Sequence, residues 1–133
     1  MSQFIATIKK INSIDSLNIV EFSFCNQTLK MMSLDLSKDV QINKKVKLSV
    51  NPSNIIIAKD FFGEISLSNQ LVATINSIEN GELLSSVILN IENIYFESII
   101  TVDSSKRMNL QKGEDVTILI KASNLSIEEI LND

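Results

Sequence analysis

The sequence predicts an all-β protein made of two tandem copies of one small domain, and two observations lead to this prediction. The first is an internal repeat: residues 3–8, QFIATI, return 67 positions later as residues 70–75, QLVATI. The second is the alternation of aliphatic and polar residues at a period of two, which is typical of half-buried strands. A chain of 133 residues is long enough for two very small domains.

Five short strands are predicted for each copy. In the first copy the alternating segments are residues 4–11, 19–24, 46–50 and 55–58, with the fifth strand inferred from the repeat. In the second copy they are residues 71–78, 86–91, 95–101, 116–120 and 125–127, separated by the turn pairs Asn80-Gly81 and Lys112-Gly113. Ser104 precedes residues that can form one helical turn.

Five strands and a helical turn in about 65 residues are typical of a Greek-key barrel of the oligonucleotide/oligosaccharide-binding (OB) type. We therefore expect two OB-like five-stranded barrels, each with a short helical turn, in domains at residues 1–60 and 64–133. Residues 59–64 form the hinge, and its Phe61 and Phe62 are expected to pack between the barrels.

The composition excludes most catalytic chemistry. The chain has no histidine and one cysteine, so it lacks the residues for a Ser-His-Asp triad, a histidine metal site or a four-cysteine zinc site. We expect it not to be an enzyme. The net charge of −4 disfavours sequence-independent binding to nucleic acid or to an anionic membrane. Residues 1–6 lack the features of a secretory signal, and no segment has the apolar length of a membrane span, so a cytoplasmic protein is expected.

Polar residues of the second copy cluster near the predicted strand ends, at residues 66–70, 100–104 and 120–124. Thr101 and Ser104 stand three positions apart at a helix start, and Lys121 ends an aliphatic run. Hydroxyls, backbone N–H groups and a fixed positive charge are what a small doubly charged oxyanion requires. Composition alone favours the alternative, in which these serines and threonines occupy turns and Lys121 is a solvated strand end.

Five short strings of the second copy closely resemble the molybdenum-binding Mop, or TOBE, domain. In order, they are residues 69–75, 77–81, 100–104, 110–116 and 119–124. The first copy resembles the family through its similarity to the second. The whole chain is therefore similar to tandem Mop proteins, the di-domain molbindins.

This resemblance implies OB-like barrels with strands partly exchanged between neighbouring subunits, and cytoplasmic binding of molybdate or tungstate for storage or homeostasis. It implies oxyanion sites between domains or subunits. By residue-by-residue correspondence, the anion contacts would be Ser66, Thr101, Ser104, Lys121, the Ala122 backbone and Ser123. Ser68 stands where the family has an arginine, which leaves a backbone N–H but no charge.

The first copy departs further from the family pattern. Ser33 lies opposite Thr101, Leu36 opposite Ser104, and Asn51 opposite Lys121. Asn51 is followed by Pro52, which has no N–H to donate. We expect a site built on Ser33 and Asn51 to be weak or empty, and the second copy to carry the binding.

Self-association is expected, with a homotrimer favoured by the resemblance and a dimer as the alternative. A second function is a regulatory or interaction module of molybdate transport that acts through a partner protein without strong anion binding of its own. A nucleic-acid-binding barrel ranks last because the chain is acidic and poor in stacking aromatics. Sequence does not separate molybdate from tungstate, since both are tetrahedral dianions of nearly equal size.

Overall fold

The structure, a computed structural model, describes residues 2–131, which form ten strands. The first half contains β1 (Ser2–Ile14), β2 (Leu17–Phe24), β3 (Gln27–Ser33), β4 (Lys45–Val50), a first 3₁₀ turn (Pro52–Asn54) and β5 (Ile56–Ala58). The second half contains β6 (Asn69–Asn80), β7 (Leu84–Ile91), β8 (Ile94–Thr101), helix α1 (Val102–Arg107), β9 (Asp115–Ile120), a second 3₁₀ turn (Ala122–Asn124) and β10 (Ser126–Ile130). The all-β prediction is confirmed, and β3 is the inferred fifth strand of the first copy.

The strands form two antiparallel five-stranded sheets that exchange their last members. The strand orders are β10-β4-β1-β2-β3 and β5-β9-β6-β7-β8. Strand β5 of the first half pairs with β9, with Ile57 opposite Ile118, and β10 of the second half pairs with β4, with Ile127 opposite Leu48. The resemblance placed strand exchange between subunits, whereas in this structure it joins the two halves of one chain. Each sheet is complete only when both halves are present.

The alternation of residues produces this arrangement because every second side chain of a strand faces the core. In β1, Phe4, Ala6 and Ile8 are buried while Ile5 between them is exposed. The register of β1 with β2 shifts between Ile8 and Lys10, and the register of β6 with β7 shifts between Ile75 and Ser77, 67 positions later. The two halves therefore repeat in detail, including this irregularity.

Two equivalent hairpin turns meet where the halves pack together. Cys25 and Asn26 join β2 to β3, and Glu92 and Asn93 join β7 to β8; all four residues have φ between 47° and 69°. Two-residue turns with positive φ at both positions match the right-handed twist of a hairpin. The Cys25 thiol forms a hydrogen bond with Glu92, so the turns of the two halves are in contact.

Burial raises the pKa of the Cys25 thiol, and the charge of Glu92 and its hydrogen bond raise it further. As the pH rises, the thiol therefore ionises at a lower pH in the unfolded chain than in the folded protein. Its contribution to the free energy of unfolding is complete below the ordinary thiol pKa and is lost as the pH rises through the higher folded-state pKa. We expect Glu92→Gln to lower the pKa of Cys25 and speed its alkylation by iodoacetamide at pH 8, measured by intact mass. Glu82→Gln, in an exposed turn, is the control, and an unchanged rate for Glu92→Gln would contradict the expectation.

The helical element differs between the halves. Helix α1 follows β8, where the serine pattern predicts it, but residues 34–44 of the first half form bends and turns. Thr101 accepts a hydrogen bond from the Ser104 backbone and so caps α1, whereas the Ser33 hydroxyl donates to the Asp35 carbonyl at 2.7 Å. The only helical turn of the described first half is therefore the 3₁₀ turn at Pro52–Asn54.

The prediction for the hinge at residues 59–64 was that Phe61 and Phe62 both pack between the barrels, and the structure agrees with it only in part. Phe61 is half-buried in a cleft that it shares with Arg107 and Met108, but Phe62 is 90% exposed. The expectation that both phenylalanines pack between the barrels is wrong for Phe62, because the hinge turns its side chain toward solvent. Within residues 2–131, no helix has the length and apolar character needed to cross a membrane.

Candidate functional site

Two hydroxyls and a guanidinium meet at the end of β8. The Ser104 backbone N–H donates to Thr101 Oγ1 at 3.2 Å, and the Thr101 hydroxyl donates to Ser104 Oγ at 3.0 Å. Arg107 Nη2 also donates to Ser104 Oγ, at 3.2 Å. Because Ser104 Oγ accepts twice, its own proton points away from Thr101 and Arg107. It can donate that proton to an acceptor outside the protein.

Arg107 is absent from the set of residues predicted from the sequence. It lies three positions after Ser104 on α1, a spacing that places two side chains on the same face of a helix. That spacing is the signal that could have identified it. We name the group Thr101, Ser104 and Arg107 the β8 corner.

A second group lies around the turn between β9 and β10. Lys121 and Ser123 are exposed and Ala122 is half-buried. The second 3₁₀ turn packs against β3, and Ser123 lines an open cavity of about 490 Å³ together with Ser33. Lys121 makes no capping hydrogen bond, and no carboxylate of residues 2–131 forms an ion pair with it. We name the group Lys121, Ala122 and Ser123 the β9 turn.

Asn51, the first-copy equivalent of Lys121, is engaged in local structure. Its Oδ1 accepts from the Ser53 backbone at 3.0 Å and from the Ser53 hydroxyl at 2.9 Å. The amide oxygen therefore holds the first 3₁₀ turn in place. The ammonium of Lys121 makes no such capping hydrogen bond. This difference favours the second copy as the better anion binder.

Ser66 and Ser68 lie in the exposed loop before β6, where they have no side-chain hydrogen bond to a described residue. The next residue, Asn69, is fully buried and holds the loop against β3: Lys30 N donates to its Oδ1 at 2.6 Å, and its Nδ2 donates to the Lys30 carbonyl at 2.9 Å. Farther along β6, the backbone N–H of Val72 donates to Oε1 of Gln27, the first residue of β3. The start of β6 therefore runs antiparallel to β3.

The β8 corner and the β9 turn lie at opposite ends of β6, a strand of 12 residues. Ile120, just before the β9 turn, pairs with Asn69 at the start of β6. Thr101 pairs with Leu84 of β7, whose neighbour Ser85 pairs with Asn80 at the end of β6. The structure thus brings Thr101 together with Ser104, and Ser123 together with Ser33. It does not bring the two groups together within one chain.

The charges around the two groups also differ. The cavity that holds Ser33 and Ser123 is lined by Asp35, Glu128 and Glu129, of which only Glu129 has a cation partner in the described chain, Lys47 at 3.3 Å. Carboxylates in a partly desolvated cavity oppose a dianion. The cleft beside α1 is lined by Asp60, by Lys59, which pairs with Glu114 at 2.8 Å, and by Arg107, which forms no ion pair with a carboxylate of residues 2–131. The guanidinium of Arg107 therefore favours an anion near α1 over one inside the β3 cavity.

The second half of the chain is similar to a known protein family. Residues 65–127 match the model of the TOBE domain family. The matched segment contains the residues predicted from the second copy: Ser66, Ser68, Thr101, Ser104, Lys121, Ala122 and Ser123. Among the curated proteins, no sequence matches the chain.

Solved structures match more of the chain. A crystal structure of the cytoplasmic molybdate-binding protein ModG, with molybdate bound, is similar over 94% of this chain and 93% of that one, with a TM-score of 0.88 at 21% identity. The similarity shows that this chain has the same two-domain fold. A molybdate-binding protein from Sporomusa ovata is 32% identical over 45% of this chain and 90% of that chain, with a TM-score of 0.44.

Proposed function

We propose that this protein binds molybdate or tungstate in the cytoplasm, as a store or buffer of the oxyanion. The observation that carries the proposal is the β8 corner, where two hydroxyls and a guanidinium converge within a segment that matches the TOBE domain. The fold shared with ModG, which was crystallised with molybdate, supports it.

The chemistry of these groups suits a tetrahedral dianion. Each oxygen of such an ion accepts hydrogen bonds, and a buried or half-buried dianion needs donors on every side. Ser104 and Arg107 supply an O–H and two or more N–H donors, and Lys121 supplies an ammonium. The proposed role is binding rather than catalysis, because these groups hold an anion without offering it an acid or a base poised for reaction. Release then follows the concentration of free anion.

The separation of the two groups supports self-association. A site that uses both the β8 corner and the β9 turn requires two chains, since the groups lie at opposite ends of β6. Large apolar side chains are exposed on the outer faces of β1 and β6, including Ile5 and Val72. Their burial between chains would contribute to assembly. We propose a homotrimer, with a dimer as the alternative.

Calorimetric titration with molybdate and tungstate tests the function, and native mass spectrometry of the same samples counts chains and bound ions. The parent protein is expected to bind either anion. Lys121→Ala is expected to lose about 1.5–3 kcal/mol of binding free energy, roughly ten- to a hundredfold in affinity, because a charge-assisted hydrogen bond is lost.

Lys112→Ala is the matched control, because it removes the same charge from an exposed turn of the same half. Equal affinities of the Lys121 and Lys112 variants for the anion would show that Lys121 is not part of the binding site. Absence of binding to the parent protein would overturn the proposed function.

A second candidate function, an interaction module that acts through a partner protein, is favoured by one observation. Leu83 and Leu84 at the start of β7 and Ile14 at the end of β1 are exposed, although they are large and apolar. Gel filtration with and without the oxyanion separates the candidates. A binding protein forms its own oligomer, whereas an interaction module stays monomeric and leaves these apolar side chains exposed for the partner.

A further inference from the structure

Lys59 of the first half contacts the end of helix α1 in the second half. It follows the exchanged strand β5, and its Nζ donates to the carbonyl of Met108 at 2.9 Å and to that of Asn109 at 3.2 Å. The same ammonium pairs with Glu114 Oε2 at 2.8 Å. The side chains of Lys59 and Glu114 are only 23% and 25% exposed, so this ion pair is partly shielded from water.

These contacts lie directly after the C-terminal end of α1, which has only six residues and is too short to be stable by itself. Met108 and Asn109, whose carbonyls accept from Lys59, donate their own N–H groups to the carbonyls of Ser104 and Lys106, so Lys59 holds the two residues that close the helix. A cation at a helix C-terminus also interacts favourably with the helix dipole. Asn109, with φ 49°, turns the chain so that its carbonyl and that of Met108 reach one ammonium.

The first half provides a natural comparison. Glu129 stands 70 positions after Lys59, at the corresponding point of the repeat, and it pairs with Lys47. A carboxylate cannot donate a hydrogen bond to carbonyl groups. The residues of the first half that correspond to α1 form bends and turns rather than a helix. Within the described chain, the helix follows the sheet that receives β5 and Lys59, and no helix follows the sheet that receives β10 and Glu129.

We propose that Lys59 is a positioning residue for the oxyanion contacts of the β8 corner. Helix α1 sets the distance between Ser104 near its start and Arg107 at its end, and Lys59 holds that end against the exchanged strand. The first half would thereby control anion affinity in the second half without touching the anion. This inference rests on the proposed function, because it concerns the same site.

The test uses the full chain and four variants, titrated with molybdate and with tungstate. Lys59→Met is expected to lower affinity about tenfold, whereas Lys59→Arg, which can still donate to both carbonyls, stays within about threefold of the parent. Lys47→Met breaks the other ion pair and removes the same charge, so it is the matched control and should leave affinity unchanged. Glu114→Gln, which releases the ammonium on one side, should lower affinity about two- to threefold.

Amide hydrogen exchange without anion provides the second measurement. Met108, which caps the C-terminal end of α1, donates its N–H to the Ser104 carbonyl. Exchange at Met108 should be faster in Lys59→Met and unchanged in Lys47→Met. If Lys59→Met fails to fold, Glu114→Gln carries the same expectation for exchange.

The outcomes separate this inference from the proposed function. If the parent protein binds neither anion, the proposed function fails, and with it the role of Lys59 in affinity. If the parent binds and Lys59→Met binds equally well, only the role of Lys59 is overturned. Equal losses in Lys59→Met and Lys47→Met, or weaker binding with unchanged exchange in α1, would show a general effect of charge and would also overturn it.

Discussion

Neither half of the chain, expressed alone as residues 1–63 or residues 64–133, is expected to be a folded monomer. The first fragment lacks β10, which pairs with β4, and the second lacks β5, which pairs with β9. Loss of β10 and of the residue before it removes Leu125, which is 2% exposed, and half-buried Ile127 and Ile130 from the core. Full burial of one such side chain contributes about 1.5–3 kcal/mol, so the loss is comparable to the whole stability of a small domain.

Circular dichroism and analytical ultracentrifugation of each fragment check this expectation. Each fragment should be unfolded or should form a dimer that exchanges its own last strand. An equimolar mixture should recover the strand content of the full chain as a one-to-one complex. The intact chain is the control. A fragment that sediments as a folded monomer at low micromolar concentration would show that each half completes its own sheet.

The strands could be predicted from the sequence, but their exchange could not. Alternation is a local property, and it located the core positions of β1 and β6 from single segments. The pairing of β5 and β10 cannot be predicted in this way. Ile57 and Ile127 occupy equivalent places in the repeat, and so do their partners Ile118 and Leu48. A strand that fits one copy also fits the other. The choice between them depends on the path of the hinge rather than on local pattern.

The candidate site shows the same limit. Thr101 and Ser104 were predicted to act together, and they do hydrogen-bond to each other, because three positions at a helix start fix their geometry. Lys121 was grouped with them by residue type and by the resemblance to the Mop, or TOBE, domain. Its place at the other end of β6 depends on sheet order, which local sequence does not specify. Whether these residues bind an anion stays a prediction.

The difference between the two helical regions was partly predictable. The absence of a serine at Leu36 was visible in the sequence, and it removes the hydroxyl that stands at Ser104 in the second half. The contribution of Lys59 was not visible, because it comes from a residue 49 positions before Met108, across the exchanged strand. Long-range interactions of this kind connect the two halves at their most variable element.

Phe96→Ala is expected to cost about 3–5 kcal/mol of unfolding free energy, the usual range for removal of a buried phenylalanine. Phe96 is 1% exposed, and it lies where the two halves meet. Its ring centroid is 4.9 Å from that of Phe4 and 5.9 Å from that of Phe24, both from the first half. Alanine at this position leaves a cavity between the halves. Denaturant unfolding monitored by circular dichroism measures the decrease in stability.

A double-mutant cycle shows whether the aromatic cluster joins the halves energetically. Phe4→Leu and Phe96→Leu keep an apolar side chain in place but remove the ring-to-ring interaction, for which about 0.5–1.5 kcal/mol of coupling is expected. Phe22, buried in β2 but outside the cluster, supplies the control cycle with Phe96. Coupling near zero for Phe4 with Phe96 would mean that burial alone stabilises this junction. Coupling in the expected range would mean that the halves stabilise each other, because the ring of Phe96 in the second half then contributes directly to the stability of the first.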